Sequence, residues 1–146
     1  MSPTSSPIGC ERVWSKTLAD VRAKPETLEI INGYYRLMDD GKLADCERYF
    51  TPDATLQIAH FPRIDGWPTI ERVMTNGLAN PKVKSLTHDV KNAWDEDDGT
   101  VIFEVHATYE MTDGRTIVVP GVVIAEIEDG RFTSQRIAAD LSPTFA

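Results

Sequence analysis

Apolar and polar positions follow helical spacing in the first half of the chain and mostly strand alternation in the second. Val13, Trp14, Leu18 and Val21 recur at spacings of one, four and three and predict a first helix. Pro25 opens a second, where its missing N–H costs nothing, and Gly41 ends it. Its apolar face carries Leu28, Ile31, Tyr35 and Met38. Leu43, Cys46 and Phe50 predict a short third helix, stopped by Thr51-Pro52-Asp53. Residues 54–60 then alternate, with Leu56, Ile58 and His60 on one side of a first strand, and residues 61–66 form a loop. Ile70, Val73, Met74 and Leu78 predict a helix over 68–78, closed by Asn80-Pro81. Four strands follow, at 82–94, 100–111, 115–127 and 131–141, separated by the hairpin signals Asp98-Gly99, Asp113-Gly114 and Asp129-Gly130. This order predicts an α+β domain: a curved, mostly antiparallel sheet, shaped as a cone-like α+β barrel, packed on one side against three to four helices. Such a sheet leaves a tapering cavity in which polar groups are set into apolar walls.

Length and composition narrow the functional classes. At 146 residues the chain reads as one domain, residues 10–146, behind a Ser- and Pro-rich arm at 1–9. A net charge of -8, without a Lys/Arg cluster, argues against nucleic acid. No apolar run reaches the roughly 20 residues of a membrane span, and the first residues lack the order of a signal peptide, so a cytoplasmic protein is expected. Cys10 and Cys46 stand without a CxxC or His-rich neighbourhood and indicate neither a disulfide framework nor a zinc site. No metal or other cofactor is expected.

The chemistry concentrates on one strand face. In the strand ending near Trp94, the residues Leu86, His88, Val90 and Trp94 share a face, so an imidazole points where apolar side chains point. A buried imidazole needs a neutral hydrogen-bonded role or a carboxylate partner. Asp39 follows Tyr35 by one i,i+4 step at the end of the second helix and is the candidate partner, giving an acid-base dyad. The plainer readings are a satisfied core histidine and an aspartate that caps the turn at Asp40-Gly41. Tyr34 and Tyr35 point about 100° apart on a helix, so one belongs to the pocket and the other to core or interface. Trp67 and Trp94 are core or rim residues, and Arg136 shares a strand face with Ser134 and Asp140.

The helix end Tyr34-Tyr35-x-x-x-Asp39-Asp40-Gly41, the join Tyr49-Phe50-Thr51-Pro52-Asp53-Ala54-Thr55 and the closing Gly130-Arg131-Phe132 to Asp140-Leu141-Ser142-Pro143 resemble the nuclear transport factor 2-like superfamily, in its SnoaL-like and scytalone dehydratase-like branches. The resemblance spans roughly residues 25–143. In the dehydratase-like members an aspartate at this helix end pairs with a histidine on the strand after the third helix, which implies catalytic roles for Asp39 and His88. Those enzymes carry a tyrosine at the end of the first strand, where this chain has His60, and the bile-acid dehydratase-like members carry one five residues before the aspartate, matching Tyr34. The acidic residues of ketosteroid isomerases fall near Ile58 and Val123, and the Asp-Arg-Asp set of limonene epoxide hydrolases is not matched on the strand around Phe103 to Tyr109.

The resulting expectation is a cofactor-free dehydratase, isomerase or cyclase of secondary metabolism, such as polyketide metabolism, acting on a small, largely apolar carbonyl or hydroxyl compound. Asp39, His88, His60 and Tyr34 would be catalytic, and Tyr35, Phe61, Trp67, Trp94 and Arg136 would touch substrate. The rival is a non-catalytic ligand-binding or dimeric interaction module, since a fold alone does not decide function. In either case Thr116, Val118, Pro120, Val122 and Ile124 form an outward apolar run suited to a homodimer.

Overall fold

The structure is a computed structural model that describes residues 22–145. The N-terminal arm and the helix expected over Val13 to Val21 lie outside the described residues. Helix α1 (Pro25–Asp39) leads through a 3₁₀ helix (Leu43–Tyr49) into β1 (Phe50–Ile58) and β2 (Ile64–Asp65). Helix α2 (Trp67–Leu78), the long strands β3 (Val83–Asp95), β4 (Thr100–Met111), β5 (Thr116–Glu128) and β6 (Arg131–Ala139), and a closing 3₁₀ turn (Ser142–Phe145) follow. The strands form one open, curved sheet in the order β2-β1-β6-β5-β4-β3, parallel only between β1 and β6. The α+β class with a mostly antiparallel sheet is as expected. None of the helices among the described residues is long and apolar enough to cross a membrane.

Helix α1 shows why these residues fold as they do. Pro25 sits at its start, and Ile31, Tyr34, Tyr35 and Met38 bury one face. Gly41 takes φ 76°, and the N–H groups of Gly41 and Lys42 donate to the carbonyls of Met38 and Leu37, so a Schellman turn ends the helix with backbone groups alone. The helix packs over β3, and its buried residues join Phe103, Val105, Val123, Ala125 and Phe132 from the inner sheet face in one core.

Three departures from the expected elements bear on the site. Strand β1 begins already at Phe50, opposite Phe132 of β6, because an irregularity between Phe50 and Thr55 takes Pro52 out of the ladder where its missing N–H would matter. Ile64 and Asp65 pair with Leu56 and Thr55 as a two-residue edge strand, too short to show alternation. In β3 the register slips between Val90 and Asn92, leaving Lys91 as an extra residue. Leu86, His88 and Val90 face inward, as expected, but past this bulge Ala93 pairs with buried Phe103 and Trp94 pairs with exposed Ile102. Trp94 therefore faces outward, correcting the expectation that it shares the His88 face: one inserted residue inverts alternation.

The same bulge turns Asp95 toward the start of α1, where Lys24 supplies no side-chain cap of its own. Asp95 Oδ2 accepts from the backbone N–H of Lys24 at 3.0 Å and from Thr27 Oγ1 at 2.7 Å, a remote cap with the charge sign that a helix N-terminus favours. Burial pushes the Asp95 carboxyl up, but the hydrogen bonds from Thr27 and Lys24 outweigh it and hold the group below its usual range. An acid held low in the folded state stabilises the fold above its unfolded value of about 4, and that contribution fades as pH falls through the folded value. Asp95→Ala is expected to cost about 1 kcal/mol near neutral pH. In thermal unfolding, its deficit against wild type should shrink as pH is lowered below about 4.

Candidate functional site

The last residue of α1 and the inner face of β3 bring one carboxylate to one imidazole. His88 Nδ1 lies 2.6 Å from Asp39 Oδ1, and the His88 backbone N–H donates to Oδ2 at 2.8 Å. Because β3 is an edge strand, that N–H has no neighbouring strand to meet and Asp39 takes the strand's place. A carboxylate only accepts, so Nδ1 carries the ring proton and Nε2 is the free nitrogen of the neutral ring. Among the described residues nothing pairs with Nε2. Both side chains are largely enclosed, with 11% exposure for His88 and 17% for Asp39. The Asp39 side chain takes no part in the turn at Asp40-Gly41, which sets aside its reading as a local cap. At a helix C-terminus a carboxylate is the disfavoured sign, so the helix alone gives Asp39 no reason to be there.

His88 opens onto a cavity of about 440 Å³ between the inner sheet face, α1, α2 and the closing 3₁₀ turn. None of its lining side chains is Asp, Glu, Lys or Arg. The hollow exists because Ala107, Gly121 and Ala139 occupy inward positions on three neighbouring strands where larger residues would fill it. Tyr35 stacks on the His88 ring, with centroids 4.5 Å apart and planes 19° apart. Tyr34 lies against Tyr35 at 4.8 Å and packs edge-on against Phe50 and Phe132. Both phenols border the cavity, so the expectation that only one tyrosine could face it gives way: curvature brings the sheet around both sides of the helix face.

The other expected site residues divide sharply. Phe61 lies on the cavity rim, 42% exposed. His60 does not reach the cavity, because Ala59 takes φ 51° and ends the alternation of β1. It is exposed, stacks on Phe61, and borders a shallow depression with Gln57, Val122, Ile124 and Arg136. Arg136 faces that same outer surface, opposite Ile124 and Gln57 in the ladders, so neither residue joins the dyad. Trp67 is a core residue, 4% exposed and stacked on Phe50 at 5.0 Å. Trp94 faces outward beyond the bulge. Cys46 is buried near the Tyr34 carbonyl, and burial, then Asp45, pushes its thiol up to about 11, which suits packing rather than nucleophilic work.

Sequence reasoning missed Tyr109 as a site residue. It lines the cavity one inward position beyond Ala107, the direct neighbour of His88, and is thus diagonal to the histidine. The alternation of Phe103, Val105, Ala107 and Tyr109 already carried that signal. Asn80, Thr144 and Phe145 also border the cavity, from segments with no periodicity to read.

Comparison with known proteins now bears on this geometry. The SnoaL-like domain family matches residues 31–135. The chain belongs to the SnoaL-like domain family. No curated protein matches the chain. Among solved structures, a protein assigned as a SnoaL-like polyketide cyclase from Jannaschia sp. CCS1 is 20% identical, with a TM-score of 0.61, covering 84% of this chain and 93% of that one. TerC, co-crystallised with polyporic acid, is 13% identical with a TM-score of 0.70 over 82% of this chain and 95% of its own. A nuclear transport factor 2-like protein from Burkholderia pseudomallei is 10% identical with a TM-score of 0.68 over 84% and 96%. At these identities the likeness establishes the fold, and solved structures of this fold carry names that include SnoaL-like polyketide cyclase, hydroxylase and isomerase.

Burial raises the Tyr34, Tyr35 and Tyr109 phenols above their ordinary value, with Tyr35 and then Asp39 adding to the rise at Tyr34, and Asp39 adding at Tyr35. All three therefore remain O–H donors through neutral and mildly alkaline pH. Raised groups stabilise the fold fully below the unfolded phenol value of about 10, and that stability is lost as pH rises beyond it. An ultraviolet titration of the folded protein should show Tyr34, Tyr35 and Tyr109 ionising late. Their ionisation should coincide with loss of the fold, and Tyr34→Phe with Tyr35→Phe should remove two late-titrating groups. Ionisation of these three near pH 10 in folded protein would contradict this environment.

Proposed function

We propose that this protein is a cofactor-free acid-base enzyme, a dehydratase, isomerase or cyclase working on a small, uncharged, largely apolar carbonyl or hydroxyl compound of secondary metabolism in the cytoplasm. The observation that carries this reading is the 2.6 Å contact between His88 Nδ1 and Asp39 Oδ1, which leaves Nε2 free at an apolar cavity. In this mechanism Nε2 takes a proton from the carbon beside a carbonyl, and the resulting imidazolium is held by Asp39. The ring then returns that proton: to another carbon in an isomerisation, to the alkoxide oxygen formed when the carbanion attacks a second carbonyl and closes a ring in a cyclisation, or to a leaving hydroxyl, released as water, in an elimination. Tyr34, Tyr35 and Tyr109 are the donors available to the oxygen on which negative charge develops; His60, facing the outer surface, is not. The walls favour an uncharged substrate, because among the described residues no Asp, Glu, Lys or Arg lines them to pair with a full charge.

A test of the base does not require the natural substrate. α-Tetralone carries exchangeable protons beside its carbonyl, and their replacement by deuterium in D₂O is followed by proton NMR. Wild type should accelerate the exchange. His88→Gln and Asp39→Asn should each lower that acceleration by about 10²-fold with the fold retained by circular dichroism. The double variant should lose little more than the worse single one, since the pair acts as a unit. Full exchange activity in His88→Gln would end the dyad reading, and no acceleration by wild type would leave a non-catalytic binding module.

The outer sheet face supports a homodimer. Val118 is 52% exposed, Val122 42% and Ile102 39%, beside Pro120, a contiguous apolar surface that a free monomer rarely presents. Light scattering at micromolar concentration should give twice the chain mass, and Val118→Asp with Val122→Asp should halve it. A wild-type monomer under these conditions refutes the assembly.

A further inference from the structure

Eight glycines fall within the described residues, and six have a structural reason to be glycine. Five take a left-handed φ that other residues adopt only with strain. At Gly33 a Cβ would collide with the Tyr49 ring. Gly77 and Gly121 remain. Neither has a left-handed φ; a Cβ on Gly77 would meet nothing within 4 Å, and one on Gly121 would meet only ordinary contacts, the nearest Ala139 Cβ at 3.5 Å. Yet Gly77 lies in helix α2 and Gly121 inside strand β5, where glycine lowers stability relative to alanine. Both line the cavity, one on its helix wall and one on its sheet wall.

We propose that Gly77 and Gly121 are specificity-determining residues that reserve space for a flat ligand of more than one ring. Gly121 is buried in the cavity's sheet wall between Val105 and Ala139, and its missing side chain lowers that wall so that a planar ring can lie closer to the strands. Gly77, an exposed residue of the helix wall, keeps the open side of the cavity clear of a side chain. The glycines thus act on ligand size and not on proton transfer: they lie on different elements from Asp39 and His88 and touch neither. This inference rests on reading the cavity as a substrate site.

The test uses cyclohexanone, α-tetralone and a tetrahydrophenanthrenone, neutral ketones of one, two and three rings, in thermal-shift and binding titrations. Wild type should be stabilised more by the larger ketones. Gly77→Ala and Gly121→Ala, without ligand, should each melt about 2–4 °C higher than wild type, because alanine fits the backbone at both positions. Gly121→Val should bind the three-ring ketone at least ~10-fold more weakly while keeping its affinity for cyclohexanone. A lower melting temperature in both alanine variants would make the glycines structural and overturn the inference. An unchanged size preference in Gly121→Val would overturn it as well. Wild type indifferent to all three ketones would instead remove the underlying reading of the cavity, and the dyad's exchange assay distinguishes that case.

Discussion

One carboxylate organises the working end of this fold. Asp39 binds two different parts of His88, its backbone N–H and its ring, so a single side chain finishes an unpaired strand edge and orients an imidazole. The two tasks depend on each other: the backbone contact fixes where β3 lies against α1, and that position presents Nδ1 to the second carboxylate oxygen. At the other end of α1, Asp95 performs a comparable act in reverse, reaching from β3 to the Lys24 N–H and the Thr27 hydroxyl at the start of the helix. Helix and strand are thereby clamped at both ends by carboxylates that cross between them. The Lys91 bulge makes this possible, since without the extra residue His88 and Asp95, seven positions apart, would face opposite sides of the sheet.

That bulge also marks where reading from sequence alone reaches its limit. Local signals carried far: the helix-ending glycine, the Asp-Gly turns and strand alternation are short-range properties, and they mark most of the element order and the inward face, while the pairing of Asp39 with His88 is read from the alternation around His88, the helix spacing of Asp39 and the family resemblance together. What escaped depends on a neighbour distant in the chain. Trp94 reads as inward until β4 imposes a register that strands Lys91, and His60 reads as inward until Ala59 adopts a left-handed conformation at the end of β1. Pro52 reads as a stop, yet pairing with β6 accommodates it. Tyr35 reads as an alternative to Tyr34, because an isolated helix has one facing direction while a curved sheet offers several.

The division between inner and outer faces follows from the same alternation. Val119 and Val123 are buried on β5, while their preceding neighbours Val118 and Val122 are exposed, so one strand supplies core and surface from nearly identical side chains. Hydrophobicity alone cannot tell the two sets apart. What separates them is the inner face's small residues and phenols, which make a hollow with hydrogen-bonding groups, against an outer face that is apolar without a comparable enclosure.

The inner face also collects the departures from what stability would select. Asp39 stands at the disfavoured end of a helix dipole, and two glycines weaken regular elements that would accept alanine. Gln135 is 1% exposed, between Leu56 and Ala125 in the ladders, and neither polar atom of its amide has a hydrogen-bond partner among the described residues. An unsatisfied buried polar group costs on the order of 1–3 kcal/mol, so a leucine of similar size would serve the core better there. Gln135 lies beneath the cavity, one inward position below Ile137 and beside Leu56, both of which line it. Scattered through the molecule these features would be unrelated; gathered on one concave face they have a common sense, because local rules are broken where function sets the residue and kept elsewhere. The β4–β5 ladder, unbroken in register, and the Asp-Gly turns keep to the local rules and frame the hollow.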